Sequence, residues 1–202
     1  MRIGVFGGTF DPVHLGHLIL AEQCREQGRL DEVWFVPAGR PPHKHTPTPF
    51  RHRAEMLRLA TAGHPAFRVD ELEEERPGPS YTADTLDELC RRRPGDEFFL
   101  LVGSDALAEL HEWHDPEGVV GRAGLMVMAR EGSRVPSAEE VWGSLTLAEG
   151  VALRLEVVRA PLIDISSRDL RQRVREGRSV RYMLPRAVEC YVREKGLYRD
   201  EA

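Results

Sequence analysis

The sequence predicts an α/β fold: a Rossmann-like, doubly wound and mostly parallel sheet with helices on both faces. Three observations carry this. Short apolar runs alternate with stretches whose apolar residues recur at helical spacing, and turn-rich segments bearing glycine or proline separate them. Two of the runs, at residues 98–102 and 125–129, are apolar throughout, as strands covered on both faces are.

Taken in order, residues 3–6 form the first apolar run, followed by a turn-rich loop and then Leu15, Leu18 and Ile19 at helical spacing. The alternation returns with residues 33–36 ahead of Phe50, Ala54, Leu57 and Ala60, and with residues 67–69 ahead of Leu86, Leu89 and Cys90. Residues 98–102 and 125–129 add two strands and residues 151–158 another. Residues 165–175 read as a helix opened by Ser166 and Ser167, both good N-cap types. A final helix follows Pro185, which suits a first helical position. The segment 37–49, with five prolines, and the segment 71–80, acidic and then Pro/Gly-rich, are expected to be exposed loops. No repeat or break in composition divides the chain, so residues 1–202 are read as one domain.

Composition narrows the function. With 41% hydrophobic and 30% charged residues, the 202-residue chain is too apolar to remain disordered. A formal net charge of -5 argues against a generic polyanion binder, and nucleic acid is not an expected partner. Cationic side chains are nearly all arginine, since the lysines are Lys44 and Lys195 alone, so each lysine is considered individually. Cys24, Cys90 and Cys190 are widely spaced with no C-x-x-C, which fits a reducing cytoplasm better than a disulfide framework or a zinc site. The start of the chain lacks the apolar core of a signal peptide, and no stretch approaches the roughly 20 apolar residues that span a bilayer. Neither export nor a membrane partner is expected.

Ligands of open α/β sheets bind beyond the carboxyl ends of the strands, which directs attention to the loop after the first one. It reads Gly7-Gly8-Thr9-Phe10-Asp11-Pro12-Val13-His14-Leu15-Gly16-His17. Adjacent glycines let a backbone approach phosphate closely, and the following helix offers unpaired N–H groups and a positive dipole end. The spacing is wrong for G-x-G-x-x-G, and no Walker-type phosphate loop occurs, so neither a dinucleotide oxidoreductase nor a P-loop NTPase is supported. His14 and His17, three apart, project to one side of a helix start and could hold zinc or phosphate, or one could cap the helix. Zinc would want further ligands at recognisable spacing, and the chain supplies no H-E-x-x-H and no cysteine cluster, so no protein metal site is expected.

These eleven residues resemble the G-G-(S/T)-F-D-P-x-H-x-G-H signature of the nucleotidyltransferase superfamily. Within it the chain resembles the bacterial nicotinate mononucleotide adenylyltransferases, because four further segments match: Pro41-Pro42-His43-Lys44, residues 79–85 (Pro-Ser-Tyr-Thr-Ala-Asp-Thr), Gly103-Ser104-Asp105, and Ile165-Ser166-Ser167 with Arg171. The resemblance implies joining of ATP and nicotinate mononucleotide to give deamido-NAD and pyrophosphate, with magnesium accompanying ATP. It implies no covalent intermediate, since the acceptor phosphate is itself the nucleophile. The physical problem is then repulsion: each like-charged pair at about 4 Å costs about 1 kcal/mol in water and several-fold more in a drier site. Held in line, the reactants gain effective molarities of up to about 10⁸ M.

The resemblance also suggests roles. Gly7, Gly8, Thr9, Phe10, Gly103, Asp105, Ser166 and Ser167 are expected to bind ATP, joined by His14, His17 and Arg171, which with Lys44 stabilise charge as pyrophosphate leaves. Capping is the competing account for Asp105 and the two serines. His43, Lys44, Thr82, Trp113 and His114 are expected on the acceptor side, the indole stacking on the pyridinium and backbone N–H groups near Thr82 and His114 holding its carboxylate. Trp113 could instead be a core residue among Leu107, Leu110 and Val119. His114 and Arg168 depart from the family pattern, which has a second aromatic and a threonine there. Competing readings are a phosphopantetheine or nicotinamide mononucleotide acceptor, and a non-catalytic nucleotide sensor. The sequence leaves the oligomeric state open, a homo-oligomer included.

Overall fold

A computed structural model of the chain describes residues 1–41, 48–130, 135–145 and 153–199. Six strands form one sheet: β1 (Arg2–Gly8), β2 (Glu32–Pro37), β3 (Phe67–Val69), β4 (Glu97–Gly103), β5 (Ala123–Arg130) and β6 (Leu155–Ala160). Their order is β3-β2-β1-β4-β5-β6 and every neighbouring pair is parallel. The expected mostly parallel sheet is thus wholly parallel among the described residues.

Strand periodicity divides the core. Phe6, Val33, Phe35, Phe99, Leu101, Met126 and Met128 face one side, where they meet α1 (Leu15–Gln27), α2 (Phe50–Thr61), α7 (Ser167–Arg175) and α8 (Arg186–Glu194) through Ala21, Cys24, Met56, Leu57, Leu170 and Val188. Their sequence neighbours Ile3, Val5, Trp34, Val36, Phe98, Leu100, Val102, Leu125 and Val127 face the other side. There they meet α3 (Thr82–Arg92), α4 (Ser104–Ala108), α5 (Pro116–Arg122) and α6 (Ala138–Gly143). Two buried faces require apolar residues at both phases of the strand, hence the continuous runs in β4 and β5.

Three differences from the sequence reading have local causes. The last strand starts at Leu155 and runs past residue 158 to Ala160, because pairing with β5 begins at Leu125↔Leu155. Pro185 is the N-cap of α8 and not its first helical residue. The segment 71–80 is not wholly exposed, since Glu73 is 7% accessible.

Parallel connections return every strand's carboxyl end to the same edge. The chain crosses from one half of the sheet to the other between β1 and β4, and this switch point opens a crevice beyond Gly8 and Gly103.

Candidate active site

A cavity of about 680 Å³ occupies that crevice. The loop after β1 forms one wall, with Gly8, Thr9, Phe10, Asp11, His14 and His17; Gly103 lies at the end of β4; and Ser166, Ser167, Arg168 and Arg171 come from the start of α7. Pro161, Ile163 and Ile165 add an apolar side that the sequence reading left out, apart from the motif position of Ile165.

The loop is held by its carbonyl groups. Arg53, on α2 and only 2% accessible, donates through Nη1 to the Thr9 carbonyl at 2.9 Å and through Nε to the Thr48 carbonyl at 3.2 Å. Arg171 Nη1 donates to the Asp11 carbonyl at 2.6 Å, and the Ser167 hydroxyl donates to the Pro12 carbonyl at 2.8 Å. The Leu15 N–H donates to the Met183 carbonyl at 3.0 Å. Asp11 is 2% accessible; its Oδ1 accepts from the Tyr198 hydroxyl at 2.7 Å, while Oδ2 is buried without a partner. Burial and the neighbouring Asp11 push the Tyr198 phenol far up, so it stays a donor. Arg53 and Tyr198 were not singled out from sequence. A buried arginine inside an amphipathic helix carries no local signature, because arginine is ordinarily exposed.

Phe10 adopts a left-handed conformation at φ 50° and turns its ring inward, edge-on to Phe6 and Phe35 at 5.6 and 5.9 Å. Gly8 follows from this, because a methyl group there would lie 2.9 Å from the Phe10 ring. A methyl at Gly7 would meet nothing within 4 Å, and Gly7 does not line the cavity.

His14 is the N-cap of α1, and its N–H donates to His17 Nδ1 at 3.2 Å. The two rings stack with centroids 3.7 Å apart. Because Nδ1 of His17 accepts, its neutral ring carries the proton on Nε2 and is a donor. Burial pushes His14 down to about 4, and burial plus the adjacent His14 holds His17 well below its ordinary value. Both rings are therefore neutral near pH 7, so the histidines first offer hydrogen bonds, not charge. His14 Nδ1 is buried without a partner, and Gly16 is needed beside it, since a methyl there would lie 2.9 Å away.

On α7, Ser166 is the N-cap, its hydroxyl oxygen accepting from the Asp169 N–H at 3.1 Å. Capping and cavity lining coexist at this residue. Arg171 is half-buried and tied to the loop, not a surface arginine. Asp105 lies away from this cavity, in a neighbouring depression with His111 and Glu140 between α4 and α6.

Among the residues expected to serve an acceptor, Thr82 opens α3 behind its N-cap Tyr81, whose ring stacks on His114 with centroids 4.1 Å apart. That contact brings the two expected segments together. Trp113 is half-buried against the second core, so packing and a partly free indole are both present. His43 and Lys44 lie outside the described residues. Among the described residues no group of three or more His, Cys, Asp or Glu could hold a metal ion, and no helix is long and apolar enough to cross a membrane.

Comparison with known proteins agrees with this fold. The sequence model of the cytidylyltransferase-like family matches residues 5–173. A probable nicotinate-nucleotide adenylyltransferase of Thermus thermophilus is 46% identical, with 98% of this chain and 100% of the relative covered. One from Geobacter sulfurreducens is 39% identical with both chains fully covered. Among solved structures, the Plasmodium falciparum nicotinic acid mononucleotide adenylyltransferase complexed with NaAD superposes with a TM-score of 0.78 at 19% identity, over 98% of this chain and 97% of that one. The chain belongs to the cytidylyltransferase-like family and, within it, to the nicotinate-nucleotide adenylyltransferases.

Proposed function

We propose that the protein transfers the adenylyl group of ATP to nicotinate mononucleotide, releasing pyrophosphate and forming deamido-NAD. An oxygen of the acceptor phosphate attacks the α-phosphorus of ATP in line, and the bond from that phosphorus to the bridging oxygen of the β-phosphate breaks. The acceptor arrives already ionised, so no general base is needed. The observation that carries the reading is the cavity beyond β1 and β4, where His14, His17, Arg171 and the start of α7 converge on one space.

In that space His17 Nε2–H and His14 would donate to the triphosphate, and donors aimed at the leaving pyrophosphate lower the barrier most. Arg171 keeps guanidinium nitrogens beyond the one bound to Asp11, and these can pair with phosphate oxygens. Gly8, Gly103, Thr9, Phe10, Ser166 and Ser167 would shape the ATP site through backbone and hydroxyl groups, and Gly7, which does not line the cavity, would contribute only by ending β1 ahead of Gly8. Asp105, in the adjoining depression, would meet a ribose only if the nucleotide extends past α4. Lys44 would stabilise charge on the phosphates, while His43, Thr82, Trp113 and His114 would serve the acceptor, the last three receiving the pyridine ring. Magnesium enters with ATP as part of the substrate. We read residues 1–202 as one catalytic domain, working in the cytoplasm; the free thiols of Cys24, Cys90 and Cys190 support the latter.

The test is release of pyrophosphate from ATP with nicotinate mononucleotide, nicotinamide mononucleotide and phosphopantetheine as separate acceptors. The highest kcat/KM with nicotinate mononucleotide is expected. Preference for another acceptor, or tight ATP binding without pyrophosphate release, overturns the reading.

A further inference from the structure

Glu73 lies in an acidic run, Glu71 to Glu75, that reads as solvated surface, yet its side chain is buried and serves two distant segments. Its Oε2 accepts from the Gly39 N–H at 3.2 Å, two residues beyond the end of β2. Its Oε1 accepts from the Thr85 hydroxyl, one turn into α3 and three residues from Thr82. Arg76 donates to the same Thr85 oxygen at 3.0 Å.

The contact with the β2 loop is built closely. A methyl group at Gly39 would fall 2.2 Å from the Glu73 carbonyl oxygen, so a side chain there would force the two segments apart. Next to it, Arg40 and Ser80 are cross-linked twice: the Arg40 N–H donates to the Ser80 hydroxyl at 2.9 Å, and the Ser80 N–H donates to the Arg40 carbonyl at 2.9 Å. A carboxylate that accepts from both segments fixes their separation, and hydrogen bonds to a charged acceptor are stronger than neutral ones.

From this juxtaposition we infer that Glu73 is a positioning residue for acceptor binding: it registers Gly39 and Arg40, which follow the end of β2, against the first turn of α3, where Thr82 stands. The inference rests on the acceptor side lying at Thr82, Trp113 and His114. Glu73 does not line the cavity beyond β1 and β4, so loss of the carboxylate lets the first turn of α3 drift from the end of β2, and the effect falls on the acceptor and spares ATP.

The experiment is steady-state kinetics of Glu73→Ala, Glu73→Gln, Thr85→Val and the Glu73→Ala/Thr85→Val double variant, varying ATP and nicotinate mononucleotide separately, with thermal unfolding alongside. Glu73→Ala and Thr85→Val are expected to raise the acceptor KM about tenfold with the ATP KM within about twofold, and the double variant to cost less than the product of the singles, because both break one network. Glu73→Gln, which keeps one acceptor oxygen, should recover part of the loss. Should Glu73→Ala fail to fold, Thr85→Val carries the same test. Equal rises in both KM values, or a lowered melting temperature with both KM values unchanged, overturns the inference. Trp113→Ala separates this from failure of the underlying reading: if it leaves the acceptor KM unchanged, the acceptor side itself is misplaced, and the inference falls with it.

Discussion

In the proposed reaction the two nitrogens of His17 have separate jobs, and substitution can divide them. Nδ1 accepts from the His14 N–H and so closes the first turn of α1, while Nε2–H faces ligand in the proposed reaction. Asparagine keeps an acceptor near Nδ1 and has nothing at Nε2; glutamine reaches toward Nε2; alanine keeps neither. The ring also stacks on His14 and packs edge-on to Phe10 at 5.1 Å and Phe6 at 6.0 Å. Loss of the cap costs about 1 kcal/mol and loss of the three ring contacts about 0.5–1.5 kcal/mol per pair, so His17→Ala is expected to lose about 2.5–5.5 kcal/mol of stability and His17→Asn about 1 kcal/mol less. Turnover behaves differently. Removing one preorganised donor costs about 10²–10³ in kcat, so both variants should fall together by that factor, and His17→Gln should recover part of it. Urea unfolding and pyrophosphate release at saturating substrate measure the two effects independently. If His17→Asn keeps turnover within about tenfold of the unsubstituted enzyme, the donor role of Nε2 is refuted.

Three further outcomes follow from the same geometry. Folding holds His14 at about 4 against 6.5, so the unfolded chain binds the extra proton; the stability this contributes is present above pH 6.5 and lost as pH falls toward 4, by about 3 kcal/mol. His17 acts in the same direction, and urea unfolding of His14→Asn should show a shallower loss between pH 6.5 and 4.5; parallel curves would contradict the assignment. Arg53→Met leaves the Thr9 and Thr48 carbonyls without their donor and removes a cation near buried Asp11, and an unfolding free energy about 3–5 kcal/mol lower is expected, with a loss under about 1 kcal/mol speaking against a structural role. Tyr198→Phe removes the partner of Asp11 Oδ1 and leaves a buried carboxylate with neither oxygen paired, which should cost about 1–3 kcal/mol in urea unfolding and raise the KM for ATP; unchanged values would show that the loop needs no support from the C-terminal segment.

How far the sequence spoke depended on whether a signal was local. The runs at 98–102 and 125–129 were legible because burial on two faces removes every polar position, and the His14/His17 pair because a three-residue spacing at a helix start fixes a shared side. Helices α4, α5 and α6, of five to seven residues, are too short to display a helical period, and the signals that two of them do carry, Asp115-Pro116 and the Ser137/Glu140 capping box, went unread in the sequence. Arg53 and Glu73 were illegible for a different reason. Each is a charged residue in a charged neighbourhood, and what makes it buried is a partner far along the chain: Thr9 for Arg53, Gly39 and Thr85 for Glu73. Asp105 shows the converse, a motif position whose place in the string does not fix which side of α4 it serves.

Charge accounts for why such distant support is needed. Near pH 7 the cradle holds Arg53 and Arg171 against Asp11, with both histidines neutral. A loop lined by two imidazolium ions and two guanidinium groups would repel itself in the absence of ligand, and burial removes that strain by keeping the imidazoles uncharged. The cost is that the donors must already be aimed, since neutral N–H groups attract an anion over a shorter range than cations do. Aim is supplied by Arg53, Ser167, Arg171 and Tyr198, each of which grips a carbonyl or carboxylate of the loop and none of which needs to touch phosphate to do so. An anion about 4 Å from an imidazole would favour its protonated form by about 4 kcal/mol at an effective dielectric constant near 20, comparable with the roughly 3 kcal/mol that keeps His14 neutral. Imidazolium charge can thus be acquired when an anion arrives, in addition to the guanidinium charge of Arg53 and Arg171 that the cradle already holds.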